Sequence, residues 1–349
     1  MKQSVMIKTV MMWVVFTWVA NTVGFAQSAP NFTENYKKAL AFTKTHQDSA
    51  IIWAKKSLAA AHNPTQRYKA YYLLAYNAKK LCFNGLAAQG YQQALKLAPD
   101  SSRKYKALNS LASVYFYAQQ SRQARAMNQR SIAYFERQLQ RPRLNAAQRQ
   151  AAGTSLSYAY ELKGLILKLQ GEYAALTALH QAIKLRRQHA PAQLGFAYEQ
   201  IAGAFAHFNL PDSAVAYQRQ AVANYPISSP DKKATQRILL AKYQLFAQRP
   251  AAALPHLQAT QKLAKHLLTK ILWSHTFSLY LTQTNNKERA RQSFGICDSL
   301  LLKALADAPD ATTRKTISEQ ALALYKDAQK IQVLQAKEQS NNQHRTKCK

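Results

Sequence analysis

Glycine, proline and cysteine are scarce in this chain of 349 residues. It contains 9 glycines, 11 prolines and 3 cysteines, while 48% of its residues are apolar. Few residues therefore interrupt helices, and alanine, leucine, glutamine, lysine and arginine fill most positions between the turns. Alternating runs of valine, isoleucine and threonine are missing after the N-terminal segment, so we expect no strands. The composition favours an all-α protein with enough apolar residues for a core.

Catalytic and metal-binding signatures are also missing. The zinc-protease helix, the nucleophile elbow, the phosphate-binding loop and the dinucleotide-binding turn do not occur in the sequence. His180 and His189 come nearest to a metal-binding pair but lack helical spacing, and the 16 carboxylates are not paired as acid–base catalysis requires. Cys82, Cys297 and Cys348 are too few for a disulfide framework, and we expect Cys82 and Cys297 to be buried apolar residues. We predict a protein that is not an enzyme and that has no cofactor or metal.

The longest apolar run stands at the N-terminus. Lys2 and Lys8 precede an apolar stretch at residues 10–20, and Gly24 and Ala26 follow it. This order is typical of a secretory signal peptide, which we expect to be cleaved after Ala26. An uncleaved membrane anchor is the alternative, although the run is shorter than the roughly 20 residues of a spanning helix. The sequence predicts an exported protein, periplasmic or secreted, with no transmembrane segment after cleavage.

A helix-pair pattern is most complete between Leu74 and Pro99. Apolar residues recur there three and four positions apart, so they form one stripe on each of two helices. The stripes are Tyr71, Leu74, Ala75 and Ala78 on the first helix, and Ala87, Tyr91 and Ala94 on the second. We expect Ala75 and Ala87 where the two helices cross most closely, and Gly85 at the turn between them.

Further copies of the pattern follow along the chain. They contain Leu108, Leu111, Ala112 and Ala124; then Leu162, Gly164, a turn at Gly171 and Ala175; then Ile201, Ala202, Ala214 and Pro226; then Leu240, Ala241 and Ala253. The small residue of the third copy is displaced by one position. We expect Asp212 or Ser213 to cap the second helix of the fourth copy. Pro255 should kink the second helix of the fifth copy or delay its start.

These residues resemble the tetratricopeptide repeat, a 34-residue helix-turn-helix unit. The resemblance implies an all-α solenoid, a right-handed superhelix of about seven stacked pairs. It divides the chain into a signal peptide (1–26), the solenoid (27–325), and a last segment (326–349) with the end of a capping helix and a basic, disordered tail. The array is also similar to the exported repeat region of Bacteroidetes-type bacterial sensor proteins, without their membrane helix and kinase module.

In this family the first helix of each pair lines a concave groove, so the resemblance implies a binding surface there. Carried over residue by residue, it gives Tyr72, Tyr76, Lys79, Lys80, Lys106, Asn109, Phe116, Tyr117, Tyr160, Lys168, Glu199, His207, Lys242 and Phe246. Aromatic and basic side chains together suit a peptide with acidic side chains or a free carboxylate. The alternative is that the aromatic residues fill gaps between neighbouring repeats. We predict a scaffold that binds a protein or peptide.

The charge supports two other readings. The chain has 48 basic and 16 acidic residues, a net charge of +32. Several arginines cluster around one loop between repeats: Arg122, Arg125, Arg130, Arg137, Arg141, Arg143 and Arg149. They would attract a polyanion, nucleic acid or acidic polysaccharide, unless they only solvate an outer face. Export argues against nucleic acid. A further alternative is the separated extracytoplasmic input portion of a two-component sensor.

Overall fold

The computed structural model describes residues 31–43, 46–225, 230–308, 314, 317, 318, 321–329 and 331–333. The predicted signal peptide, Pro226 and the predicted tail from residue 334 onward lie outside these ranges. Within them the regular structure is helical. The helices are α1 (Phe32–Phe42), α2 (Gln47–Ala59), α3 (Pro64–Lys80), α4 (Asn84–Lys96), α5 (Ser101–Tyr117), α6 (Ser121–Leu139), α7 (Ala146–Leu169), α8 (Ala174–His189), α9 (Leu194–His207), α10 (Pro211–Asn224), α11 (Pro230–Phe246), α12 (Pro250–Gln261), α13 (Leu267–Gln283) and α14 (Lys287–Ala306).

A short 3-10 helix at Pro191–Gln193 precedes α9. After α14, residues 321–329 and 331–333 are also helical, and we call them the terminal helix. None of the described helices combines the length and apolar character needed to cross a bilayer.

The helices pack in consecutive pairs, α1 with α2 through α13 with α14. Hydrogen bonds also join the first helices of neighbouring pairs, between residues 34 to 38 positions apart. One such bond joins the Tyr72 hydroxyl to Ser110 Oγ at 2.9 Å, and another runs from Lys79 Nζ to Ser113 Oγ at 3.1 Å. A helix pair stacked on the next at this spacing is the expected geometry of a helix-turn-helix repeat. The predicted α-solenoid is confirmed.

Small residues stand where the two helices of a pair approach each other. The first helices carry Ala75, Ala112, Gly164, Ala202 and Ala241, and the second helices carry Ala87, Ala124, Ala175, Ala214 and Ala253; all are buried. At Gly164 a Cβ atom would lie 2.6 Å from Leu179 Cγ. A larger side chain at these positions would force the backbones apart, because protein cores are already close-packed.

The turns inside six pairs share one backbone device. Each turn contains a residue in the left-handed region, with φ between 57° and 72°: Cys82, Gln119, Gly171, Asn209, Gln248 and Asn285. The next residue donates its amide to the carbonyl five positions earlier, as Phe83 does to Ala78 at 2.9 Å. This is the Schellman arrangement, which pairs carbonyls left over at the end of the first helix. The expected turn at Gly85 was wrong, because Gly85 lies inside α4 and Cys82 makes the turn.

Two other local expectations also change. The helix α10 begins at Pro211 with Leu210 at the N-cap and no side-chain cap, so Asp212 lies in the first turn instead. There its carboxylate pairs with Arg249 at 2.7 Å. The helix α12 begins at Pro250 and contains Pro255, so its start is not delayed.

Candidate binding groove

The first helices of successive pairs present their side chains on one shared surface, which we call the groove. It is formed by α3, α5, α7, α9, α11 and α13. Apart from the Tyr72 and Lys79 contacts, Tyr158 on α7 donates to Gln193 at 2.6 Å, and Gln236 on α11 donates to Glu199 on α9 at 2.8 Å. These contacts tie α3 to α5, α7 to the 3-10 helix before α9, and α9 to α11.

Burial and nearby charges both shift the pKa values of groove side chains. Burial lowers the pKa of Lys79 on α3, and the Glu161 carboxylate on α7 opposes that fall. Burial raises the pKa of Tyr117 on α5, and Glu161 and Glu199 raise it further. The electrostatics of the groove therefore involve side chains from more than one helix pair.

Near α3 and α5 the groove carries exposed basic and aromatic side chains. The Lys80 ammonium lies 4.8 Å from the centre of the Tyr76 ring and donates to the Thr43 carbonyl at 3.3 Å. Tyr117 on α5 is 53% exposed. This part of the groove is free to meet a ligand.

The middle of the groove is acidic, which the sequence did not predict. Glu161 on α7 pairs with Arg186 at 2.6 Å, and that arginine is 1% exposed. The Arg186 guanidinium also lies 4.9 Å from the Tyr158 ring centre. Burial raises the pKa of Glu199, the Gln236 hydrogen bond opposes the rise, and Glu161 adds to it. Basic and acidic zones therefore alternate along the groove.

Several of the predicted residues lie on the groove but are engaged within the protein. Tyr72 packs edge-on against Tyr91 at 5.3 Å, and Lys106 lies 5.4 Å from its ring centre. Asn109 accepts a hydrogen bond from the buried Asn128 at 3.0 Å. Exposed His207 stands edge-on to Phe208 at 5.1 Å.

Phe116 and Phe246 are buried, with 8% and 4% of their surface exposed. They belong to apolar clusters that also contain residues of other helix pairs. For these two residues the structure agrees with the alternative that aromatic side chains fill gaps between repeats. Neither offers a ring face to a ligand.

Tyr160 was expected to line the groove, but its hydroxyl donates to Glu136 on α6. The groove-facing residues of α7 are Tyr158 and Glu161, which were missed. The one-position displacement of the third copy explains the error. The left-handed turn residue gives the right register: Glu161 stands ten positions before Gly171, as Tyr72 does before Cys82.

The terminal helix covers the groove at α11 and α13. Asp327 Oδ2 lies 3.2 Å from Lys242 Nζ, and His275 Nε2 lies 2.8 Å from the Leu324 carbonyl. Ile331 is fully buried and shares an apolar cluster with Leu279. Lys242 and Phe246 were expected to face a ligand, and here the protein's own chain occupies that side of the groove.

Burial and charge act differently on the two groove lysines Lys168 and Lys242. Burial lowers the pKa of Lys168, and Lys242 lowers it further. Burial also opposes the charge on Lys242, but Asp327 outweighs it, so the pKa of Lys242 is raised. Among the described residues Lys168 has no hydrogen bond or ion pair. The residues that the structure describes include no group of three His, Cys, Asp or Glu side chains that could bind a metal ion.

No protein-family model matches the chain, and comparison with curated proteins also finds no match. Solved structures do share its fold. It is similar to a Rap protein complexed with competence and sporulation factor, with 14% identity, 88% of this chain and 98% of that chain covered, and a TM-score of 0.53. A Rap conjugation gene regulator of the plasmid pLS20, in complex with a Phr peptide, gives 10% identity, 87% and 92% coverage, and a TM-score of 0.52.

A tetratricopeptide repeat protein from Parabacteroides merdae gives 14% identity, 85% and 98% coverage, and a TM-score of 0.49. At these identities the first two likenesses show a common fold of stacked helix pairs. Together with the repeat geometry of this chain, they support the predicted tetratricopeptide-like fold. The resemblance to bacterial sensor proteins stays a prediction.

Proposed function

We propose that this protein is a non-catalytic, exported scaffold that binds a peptide or protein segment in its groove between α3 and α9. The observation that carries this proposal is the hydrogen bonding between first helices of neighbouring pairs, from Lys79 on α3 to Ser113 on α5 and from Gln236 on α11 to Glu199 on α9, which places their side chains along one surface. A groove with charged side chains and rigid aromatic rings offers directional contacts at low entropic cost. Two structures of the same fold were solved with a competence and sporulation factor and with a Phr peptide, which supports a peptide ligand.

The basic end of the groove gives the ligand its expected chemistry. Lys79 and Lys80 lie side by side at the end of α3, next to Tyr76. Ammonium groups there favour acidic side chains or a free carboxylate. Burial already lowers the pKa of Lys79, so an incoming carboxylate would stabilise its charged form. We therefore expect an acidic peptide end to lie over α3.

A displayed library of random peptides tests this function. Peptides selected on residues 27–349 are compared for binding to the wild type, to Lys79→Glu/Lys80→Glu, and to Lys96→Glu/Lys184→Glu. The last variant changes charge equally but on exposed positions of second helices. We expect the groove variant to lose at least about tenfold in affinity, as for loss of a charge-assisted contact. Selection of no peptide, or equal losses in both variants, would contradict the proposal.

A second candidate function rests on the arginines of α6 and the loop after it. Arg122, Arg130, Arg137, Arg141, Arg143 and Arg149 are exposed. Within the described residues none of these six has an ion pair, whereas Arg125 pairs with Glu172 at 3.1 Å. Unpaired guanidinium groups on one face suit an acidic polysaccharide.

Heparin binding measured across salt concentrations tests this second candidate. Affinity should fall by orders of magnitude between about 50 and 200 mM salt if several anionic groups are contacted. Arg130→Glu/Arg137→Glu should abolish it, and Lys96→Glu/Lys184→Glu should not. Duplex DNA serves as the comparison polyanion. Binding that ignores salt or the arginine substitutions would rule this function out.

A further inference from the structure

The terminal helix contacts the groove through one stripe of side chains. Leu324 and Ala328 are half-buried and Ile331 is fully buried, while Lys326 and Val333 on the other side are exposed. The three buried positions are three or four residues apart, so they face one direction. The helix is therefore amphipathic, and its apolar side faces the groove.

The positions that this helix covers correspond to groove positions of α3. Lys242 stands six residues before the left-handed turn residue Gln248, as Tyr76 does before Cys82. His275 likewise corresponds to Tyr72. The terminal helix thus lies over the positions of α11 and α13 that are equivalent to Tyr76 and Tyr72 on α3.

Charge complementarity concentrates on one side chain of the terminal helix. Asp327 neutralises Lys242 at 3.2 Å, in a contact where both side chains are mostly shielded from water. Without Asp327 the Lys242 ammonium would lose its ion-pair partner in this shielded position. Whatever takes the place of the terminal helix must therefore bring a carboxylate.

The terminal helix is attached through two sets of contacts. On the first helices it makes one ion pair, one hydrogen bond from a histidine, and apolar contacts around Ala328 and Ile331. In addition, Ala321 and Leu324 pack in a cluster with residues of α13 and α14, and the Tyr325 hydroxyl donates to Asp298 on α14. A ligand that offers an apolar side chain and a carboxylate one turn apart would replace the contacts of Ile331 and Asp327. Exchange between two such occupants follows from their relative affinities for the same site.

We propose that the terminal helix is an internal ligand of the groove, displaced by a peptide whose acidic side chain takes the place of Asp327 beside Lys242. The proposal rests on the proposed peptide-binding function and adds to it a second ligand-binding segment at α11 and α13. This segment accepts an amphipathic helix with an acidic residue four positions before an apolar anchor. In the resting protein the chain fills that segment itself.

The test uses a fluorescent peptide with the sequence of residues 321–335 and a version in which the position of Asp327 carries asparagine. Binding is measured on the full chain as wild type, as Asp327→Asn/Ile331→Asp, and as the control Gln332→Lys/Val333→Asp. The last two variants each keep the net charge, and the control alters only the exposed side of the terminal helix. We expect the first variant to bind the acidic peptide at least tenfold more tightly than the wild type and the control. The asparagine peptide should lose that gain.

Two additional variants keep the result interpretable. Asp327→Asn alone removes the ion pair without placing a charge in the core, and should raise affinity about threefold. Lys242→Met added to the opened variant should abolish its gain. Equal binding by wild type and opened variant, binding that survives Lys242→Met, or no binding to the opened variant would each overturn the proposal. Peptides that depend on Lys79 and Lys80 test the proposed function separately, because those residues lie outside the covered segment.

Discussion

The α3–α9 part of the groove and the α11–α13 part are built in the same way but present different surfaces. Both use small buried residues where the helices of a pair cross and the same left-handed turn. In the first part Tyr117 is half exposed and Lys79 donates to Ser113, and in the second Lys242 is paired with Asp327. A repeat pattern therefore predicts where a side chain points, and a distant segment decides whether a ligand can reach it.

The two parts also treat a buried lysine differently. In the open part, burial lowers the pKa of Lys79, and its ammonium donates to Ser113 at 3.1 Å. In the covered part, the carboxylate of Asp327 raises the pKa of Lys242 despite its burial. Among the described residues Lys79 has a hydroxyl partner and no ion pair, whereas Lys242 has an ion pair.

The largest loss of stability should come from substitutions at the close helix crossings, which both parts of the groove share. Ala112→Leu and Ala241→Leu each add bulk at a fully buried helix crossing. We expect each to lower the free energy of unfolding by about 3 kcal/mol, because overpacking a close-packed core forces backbone shifts. Urea unfolding measures this. Ser113→Leu, at a half-buried groove position of α5, is the control. A large cost in one part and none in the other would show that the parts do not share one architecture.

The second-largest effect should come from a change of pH, which acts on the covered part of the groove through His275. Burial lowers the pKa of His275 to about 4, so this histidine stays neutral in the folded protein while an ordinary histidine gains a proton near pH 6.5. The unfolded state then binds more protons below pH 6.5, and stability falls as the pH drops from 6.5 to 4, by up to about 3 kcal/mol.

His275→Gln keeps a donor for the Leu324 carbonyl and should remove most of this pH dependence. Hydrogen exchange of residues 321–333 at pH 7 and pH 4.5 reads out the attachment of the terminal helix. His62→Gln, at an exposed position, should leave the dependence as it is. A profile unchanged by His275→Gln would assign the acid sensitivity to other groups.

Removing a lysine should cost more in the covered part than in the open part. Lys242→Met leaves the Asp327 carboxylate without its partner, so we expect a loss of about 1–2 kcal/mol. Lys79→Met removes a charge that burial disfavours and should change stability by less than about 0.5 kcal/mol. Thermal unfolding of both variants gives the comparison. Equal losses of stability in the two variants would mean that the ion pair between Lys242 and Asp327 makes no measurable contribution to stability.

The smallest effect concerns the Tyr117 hydroxyl. Burial, Glu161 and Glu199 raise its pKa, so it should ionise above the usual range for tyrosine. Tyr117→Phe should remove one late-titrating phenol from the ultraviolet titration and change stability by less than about 0.5 kcal/mol, since the side chain is half exposed. Loss of a normally titrating phenol instead would indicate that the two glutamates lie too far away to act on it.

The scaffold was predictable because its signals are local. Ala75, Ala87 and their counterparts recur at helical spacing, and only a small side chain allows such close crossings. The turns were harder, because Cys82, Gln119 and Gln248 adopt a conformation that sequence rules assign to glycine. Consequently the turn was predicted at Gly85, whereas Cys82 makes it.

The candidate site was less predictable because it depends on register and on distant contacts. The repeat register was displaced by one position on α7, so Tyr160 was selected. The residues of α7 that face the groove are Tyr158 and Glu161. The pairing of Lys242 with Asp327 joins residues 85 positions apart. A helical pattern at residues 321–333 indicates an amphipathic helix, but not which surface receives it.

The left-handed turns hold a reserve of stability. Five of the six carry a side chain in a conformation that costs roughly 1 kcal/mol for most residues and less for asparagine. Glycine at Cys82, Gln119 and Gln248 would relieve this strain. Editing turns alone could therefore raise the thermal stability of the scaffold while leaving the side chains of its first helices in place for grafting new specificities.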